Sequence, residues 1–166
     1  MLAVRREGDL LELDFPISEG KPCAPPAALV EGLGTAPLET QRARDYMAVF
    51  ASADEVRTLR PDLGPLASLD ARGVIVTAPG GAAAGNGPDY VLRFFGPAVG
   101  VPEDPATGSA HCTLMPYWAK RLGRARLASH QLSARGGEFV CERRGARVGI
   151  AGRAVPYLEG SIELPG

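Results

Sequence analysis

The sequence predicts a single α+β domain, and three observations carry that prediction. Strand-like apolar runs recur along the whole chain. Only one stretch, Ala110 to Leu122, is long enough to be a substantial helix. Glycine and proline are abundant, 21 and 15 of 166 residues, which cuts the chain into short elements rather than a helical bundle. A hydrophobic content of 45% supplies a core, and the length suits one domain. Several strands around one long helix make an α+β arrangement.

The elements follow in order. Leu2 to Arg6 and Leu10 to Phe15 flank Glu7-Gly8-Asp9 and read as a hairpin. Its second arm alternates Leu11, Leu13 and Phe15 with Glu12 and Asp14, and Pro16 ends it. Pro25 to Leu33 reads as a short helix with proline in its first turn and Gly34 at its end. Asp45 to Phe50 reads as a strand, and Ala53 to Leu59 and Pro61 to Leu69 as short helices. Gly73 to Ala78 is continuously apolar and β-branched, as a buried strand is. Pro79 to Pro88 is a loop. It holds glycines at 81 and 85 but lacks the Lys-Ser/Thr that a phosphate loop needs. Tyr90 to Phe95 is a strand. Four more strand-like pieces follow the long helix: Leu127 to Leu132, Glu138 to Glu142, Ala146 to Ala151 and Glu159 to Leu164.

Composition narrows the function classes. The net charge of −1 draws the chain neither to nucleic acid nor to a membrane surface. Basic clusters at Lys120, Arg121, Arg124, Arg126 and at Arg143, Arg144, Arg147 lack the interleaved aromatics of a nucleic-acid face. No apolar run is long enough to span a bilayer, and no signal-peptide core follows Met1, so a cytoplasmic location is expected. Cys23, Cys112 and Cys141 fit no metal spacing, and neither a structural metal nor a disulfide is expected. Cys112 stands where a helix dipole lowers a thiol pKa, or where it simply packs.

The segment with chemical content is Glu103-Asp104-Pro105-Ala106-Thr107-Gly108-Ser109-Ala110, between the 90–95 strand and the long helix. Two readings stand side by side. Asp104 or Thr107 caps the helix, with Pro105 near its first position. Alternatively the free amides of the first turn form an anion cradle beside the Asp104 carboxylate. On the second reading, residues 104–110 sit at the mouth of the main functional cleft.

Residues Phe94 to Pro97 and Gly100 to Cys112 resemble the signature of the phenazine-biosynthesis PhzF family, which is related in fold to diaminopimelate epimerase. Leu13 to Pro16, Gly73 to Thr77, Gln131-Leu132 and Gly149 to Gly152 are similar to the family as well. The resemblance implies a lobe in which a curved, barrel-like, mainly antiparallel sheet surrounds a central helix. It implies metal-free, cofactor-free isomerisation or epimerisation by proton transfer on a small carboxylate metabolite, in a biosynthetic setting. Asp104 and Ser109 would be its catalytic residues, with Thr107, Gly108, Ser109 and Ala110 binding the substrate carboxylate. Family members have about twice this length, so the chain corresponds to their C-terminal half. Their acid/base glutamate, in a Ser-Glu-Thr setting, and their Gly-His pair have no good match: Ser18-Glu19 is followed by Gly20, and Glu39-Thr40 follows Leu38. The role is therefore not carried over to Glu19 or Glu39.

Activity is then expected to need a complementary N-terminal lobe or a second copy. The 1–16 hairpin and residues from about 155 to 166 are expected to belong to or pack on that further lobe. Left uncovered, Leu11, Leu13, Phe15 and the 159–164 strand would drive a homodimer. The alternative is a catalytically incomplete remnant or a small-acid-binding module.

Overall fold

The computed structural model describes residues 3–81, 87–155 and 157–163. Among them, ten strands form one mixed sheet: β1 (Ala3–Glu7), β2 (Leu10–Pro16), β3 (Lys21–Pro22), β4 (Glu39–Arg42), β5 (Tyr46–Val49), β6 (Val74–Pro79), β7 (Tyr90–Phe95), β8 (Arg126–Gln131), β9 (Gly137–Arg144) and β10 (Arg147–Gly152). The helices are α1 (Ala27–Leu33), α2 (Ala53–Thr58), α3 (Leu63–Ala67) and α4 (His111–Leu122). Across the sheet the order is β1-β2-β10-β9-β8-β7-β6-β5-β4-β3. Pairing is parallel between β5 and β6 and between β7 and β8, and antiparallel elsewhere.

Local chemistry accounts for the boundaries. The β1–β2 turn has two residues, with Gly8 at φ +60, where a side chain would be strained. Helix α1 starts after Pro26 and ends on Gly34 in the left-handed region. Ser52 caps α2 by accepting from the Glu55 amide at 3.2 Å, while the Glu55 carboxylate accepts from the Ala51 amide. Asp62 caps α3 through the Gly64 amide at 2.9 Å. Pro116 lies inside α4 and cannot donate to the Cys112 carbonyl. That carbonyl instead accepts from the Ser18 amide at 2.9 Å, which ties the segment after β2 to the helix.

The central strands are covered on both faces. Met47, Val49, Ile75, Tyr90, Leu92 and Phe94 face Leu114, Met115 and Trp118 of α4. The alternate residues Ala48, Val74, Val76, Val91 and Phe95 face Leu29, Val56 and Leu66 of the three short helices. Double cover explains why the 73–78 run reads as unbroken apolar sequence.

Two expectations need correction. The sheet is open, not closed into a barrel. One edge is β3, where Pro22 has no N–H for a further neighbour, and the other is β1, which carries Arg5 and Arg6. Residues 157–163 form no strand, and Tyr157, Leu158 and Ile162 are exposed. Both edges of β10 are taken, by β2 and β9, so the chain leaving β10 finds no ladder there; Leu164 lies outside the described residues. The hairpin is built into this sheet through the β2–β10 ladder, and Phe15 packs on the α4 core. The centre of the 79–88 loop, residues 82–86, lies outside the described residues. Among those described, no helix is long and apolar enough to cross a membrane.

Candidate functional site

Strand β7 delivers the chain to the 103–110 segment. After Phe95, Gly96 and Val101 exchange backbone hydrogen bonds, which closes a small loop, and the Asp104 amide returns to the Phe94 carbonyl at 3.0 Å. Buried Arg93 locks this stretch from below. Its Nε and one terminal nitrogen grip Glu103 at 2.8 and 3.0 Å. The other terminal nitrogen donates to the Val56 and Leu59 carbonyls at the end of α2.

Asp104 is partly buried, and its geometry is set by Thr107 and Gln131. The Thr107 hydroxyl donates to Asp104 Oδ2 at 2.8 Å, and the Ala106 amide reaches Oδ1 at 3.3 Å. Gln131 ends β8 and is 1% exposed. Its Oε1 accepts from the Thr107 amide at 2.7 Å, so its amino group is the side that donates, to the Asp104 carbonyl at 2.6 Å and to Thr107 Oγ1 at 3.1 Å. Thr107 Oγ1 receives one hydrogen and passes its own to Asp104. The relay fixes the carboxylate and leaves Oδ1 the less engaged oxygen. The hydroxyl of Ser133 holds the Pro105 carbonyl at 2.7 Å.

The turn enters α4 through one turn of 3-10 helix, Gly108–Ala110. Neither Asp104 nor Thr107 caps that helix; no side chain does at either start. Among the described residues, the Gly108 and Ser109 amides have no protein acceptor. Ala110, grouped with them by resemblance, is fully buried and its amide turns back to the Thr107 carbonyl at 3.2 Å. Leu13 of β2 lies beside Gly108.

Sequence reasoning missed Arg72. It donates to both oxygens of buried Asp45, at 3.0 and 2.5 Å, and its remaining nitrogen reaches Ser109 Oγ at 3.3 Å. Its guanidinium lies over the Phe94 ring, 4.9 Å from the centroid. The hydrogen-bonded Asp45 is the main reason its pKa is raised, and the charge of Asp104 contributes. The parallel β5–β6 pairing, with Tyr46 opposite Val74, brings Asp45 and Arg72 together at the starts of adjacent strands.

His111, the first residue of α4, is fully buried. Its Nδ1 shares a hydrogen with the Tyr90 hydroxyl at 2.8 Å, and its Nε2 has no partner. Burial pushes its pKa down to about 3. Burial likewise raises the thiol of Cys112 and pushes Cys141 up to about 12. At Cys112 desolvation outweighs any help from the helix dipole.

Residues 104–110 line neither of two concavities formed among the described residues. One, of about 540 Å³, runs along β8, β9 and Phe139. The other, of about 480 Å³, lies between the 19–22 segment, β4 and α4. In it Tyr117 donates to Glu39 at 3.0 Å, and Arg121 pairs with Glu39 at 2.6 Å. The bond from Arg121 is the main cause of a lowered Glu39 pKa. Glu19, at the same cleft, pairs with Arg143 at 3.1 Å. Three more of the basic residues flagged in the sequence pair with carboxylates: Arg124 with Asp89, Arg144 with Glu12 and Glu142, Arg147 with Asp14. Among the described residues, no group of three or more His, Cys, Asp or Glu side chains is arranged to hold a metal ion.

Comparison with known proteins places these features. The family model described as phenazine biosynthesis-like protein matches residues 27–160. An uncharacterized isomerase of Pseudomonas aeruginosa is 47% identical over 163 residues, covering 98% of this chain and 61% of its own. One from Halalkalibacterium halodurans is 38% identical, with 99% and 62% covered. Among solved structures, a phenazine biosynthesis PhzC/PhzF protein from Clostridium difficile superposes with a TM-score of 0.86 at 35% identity, covering 98% of this chain and 61% of the other. A PhzF-family protein from Enterococcus faecalis gives 0.85 at 38% identity over the same shares. The chain thus spans about three fifths of the length of these relatives.

Proposed function

The chain belongs to the phenazine biosynthesis-like family, and we propose that it carries the Asp104 side of an isomerase site. That site moves a proton on a small carboxylate metabolite without a cofactor. The observation that supports this reading is the Gln131–Thr107–Asp104 relay, which holds a carboxylate beside two unclaimed amides, those of Gly108 and Ser109. Asp104 exchanges the proton through Oδ1. The two amides and the Ser109 hydroxyl hold the substrate carboxylate, which would otherwise oppose a developing carbanion next to it. Thr107 acts on Asp104, while Ala110 supplies backbone shape.

A second acid/base group completes the reaction from outside the described turn. Glu19 and Glu39, the carboxylates the sequence offered, are engaged with Arg143 and with Tyr117 and Arg121. We assign the missing group to a complementary lobe or to a second copy in a homodimer, with a biosynthetic role in the cytoplasm. Those engagements also favour the alternative, a small-acid-binding module without turnover.

The test is deuterium incorporation. The purified chain is incubated in D2O with a panel of small carboxylic acids bearing an activated C–H, and the exchange is followed by NMR. Exchange that Asp104→Asn abolishes supports the isomerase reading. Carboxylate binding at Gly108 and Ser109 with no exchange at any chain concentration supports the binding module.

A further inference from the structure

We propose that Arg72, held by Asp45, is a positioning residue of this site: it turns the Ser109 hydroxyl into a donor aimed at a carboxylate ligand and adds positive charge beside it. The inference rests on the reading of Gly108 and Ser109 as the carboxylate site.

Donor and acceptor bookkeeping carries the argument. Arginine has donors only, so Ser109 Oγ is the acceptor in the contact with Arg72. The serine's own hydrogen must then point away from the guanidinium. It is free to donate to a ligand oxygen, which a carboxylate, having only acceptors, requires. Asp45 makes the contact durable. It is 3% exposed and takes one whole edge of the guanidinium, a fork-to-fork pairing that fixes the plane as well as the distance. The Phe94 ring supports the face. What remains is the nitrogen that meets Ser109, on a side chain still 24% exposed. A buried carboxylate behind, a rigid cation between and a hydroxyl in front form a second relay into the turn. The first, from Gln131 through Thr107, ends on Asp104. One relay therefore presents a hydrogen to the protein's own carboxylate, and the other presents one to the ligand's.

The experiment is a titration of the 15N-labelled chain with sodium benzoate, with benzamide as the uncharged control, read at the Gly108 and Ser109 amides. In the parent, benzoate shifts both signals saturably and benzamide does not. Arg72→Gln alone leaves Asp45 buried and unpaired, so Asp45→Asn/Arg72→Gln is the main variant. It removes both charges together and is expected to weaken benzoate about tenfold. Arg72→Lys keeps the charge but not the planar fork, and is expected to weaken it about threefold. Ser109→Ala weakens benzoate in the parent but adds nothing in the Asp45→Asn/Arg72→Gln background, because the two act through one contact. Parent-like benzoate affinity in Asp45→Asn/Arg72→Gln or in Arg72→Lys overturns the inference and leaves the carboxylate site standing. Equal losses from Ser109→Ala in both backgrounds overturn it as well. No response of the parent to benzoate removes the carboxylate site and the inference together.

Discussion

Two regions of this molecule set carboxylates against an arginine and a hydroxyl, and they differ in what stands behind them. At the 103–110 turn, Asp104 is braced by Thr107 and Gln131, and Arg93 and Glu103 lock the loop beneath. Thr107, Gln131 and Arg93 are buried. At the 480 Å³ cleft, Glu39 meets Tyr117 and Arg121 with comparable distances, but the Glu39 and Arg121 side chains are 42% and 50% exposed. The chemistry on display is similar. Only in the first case would moving a side chain leave a buried donor or acceptor unmatched, and that penalty holds a geometry in place. The 480 Å³ cleft is therefore the poorer candidate for chemistry.

The strongest way to break the comparison is at its base. Arg93→Met strands Glu103 and the two α2 carbonyls, and should cost about 4 kcal/mol in urea denaturation. A loss below about 1 kcal/mol would mean the loop is not locked from beneath. Gln131→Ala removes three buried hydrogen bonds, leaves the Thr107 amide unpaired and should cost about 3 kcal/mol. Its signature is local: exchange at the Thr107 amide accelerates well beyond that of the α4 core. Uniform acceleration would make Gln131 a general stabiliser rather than a brace for Asp104.

Protonation probes the same end of α4. The folded-state pKa of His111, about 3, lies below its ordinary value, so the unfolded chain takes up the proton first as pH falls. Its stabilising contribution is complete above about pH 6.5 and is lost on acidification towards 3. Between pH 7 and 5 the loss should be about 2 kcal/mol. His111→Gln should flatten that part of the stability profile; an unchanged slope would assign it to other groups. The smallest effect belongs to the exposed cleft. Arg121→Ala should change stability by about 0.5 kcal/mol or less. A loss above about 2 kcal/mol would show that this cluster, too, is rigidly held.

Much of the architecture was legible because its signals are local. The Gly8 hairpin, the Pro26 start and Gly34 end of α1, and the runs that became β5 to β10 are written in neighbouring residues. The short strands β3 and β4 were not. Lys21–Pro22 and Glu39–Arg42 are polar or short, and take their form from the ladder that starts at β5. The 159–164 run reads as a strand by composition, yet its described residues, 159–163, form none, and both edges of the preceding β10 are already taken. At the site, Asp104 and Ser109 stand in a recognisable segment. Arg72 and Gln131 do not, because their importance comes from strand register: β5 beside β6 for one, β7 beside β8 for the other.

The β2–β10 ladder has a consequence for the order in which the protein acquires its shape. Phe15 pairs with Val148 and Leu13 with Ile150, so β2 lies beside a strand synthesised much later than itself. Such a pairing returns nothing until a very long loop has closed, and chains rich in it fold in milliseconds to seconds rather than microseconds. Until β10 exists, the inner edge of the hairpin is an unpaired template with Leu11, Leu13 and Phe15 beside it. The growing chain must keep that edge from other molecules while the ribosome completes β9 and β10. Its hazard is greatest before β10 has formed, and a holding chaperone would find its target in β1 and β2.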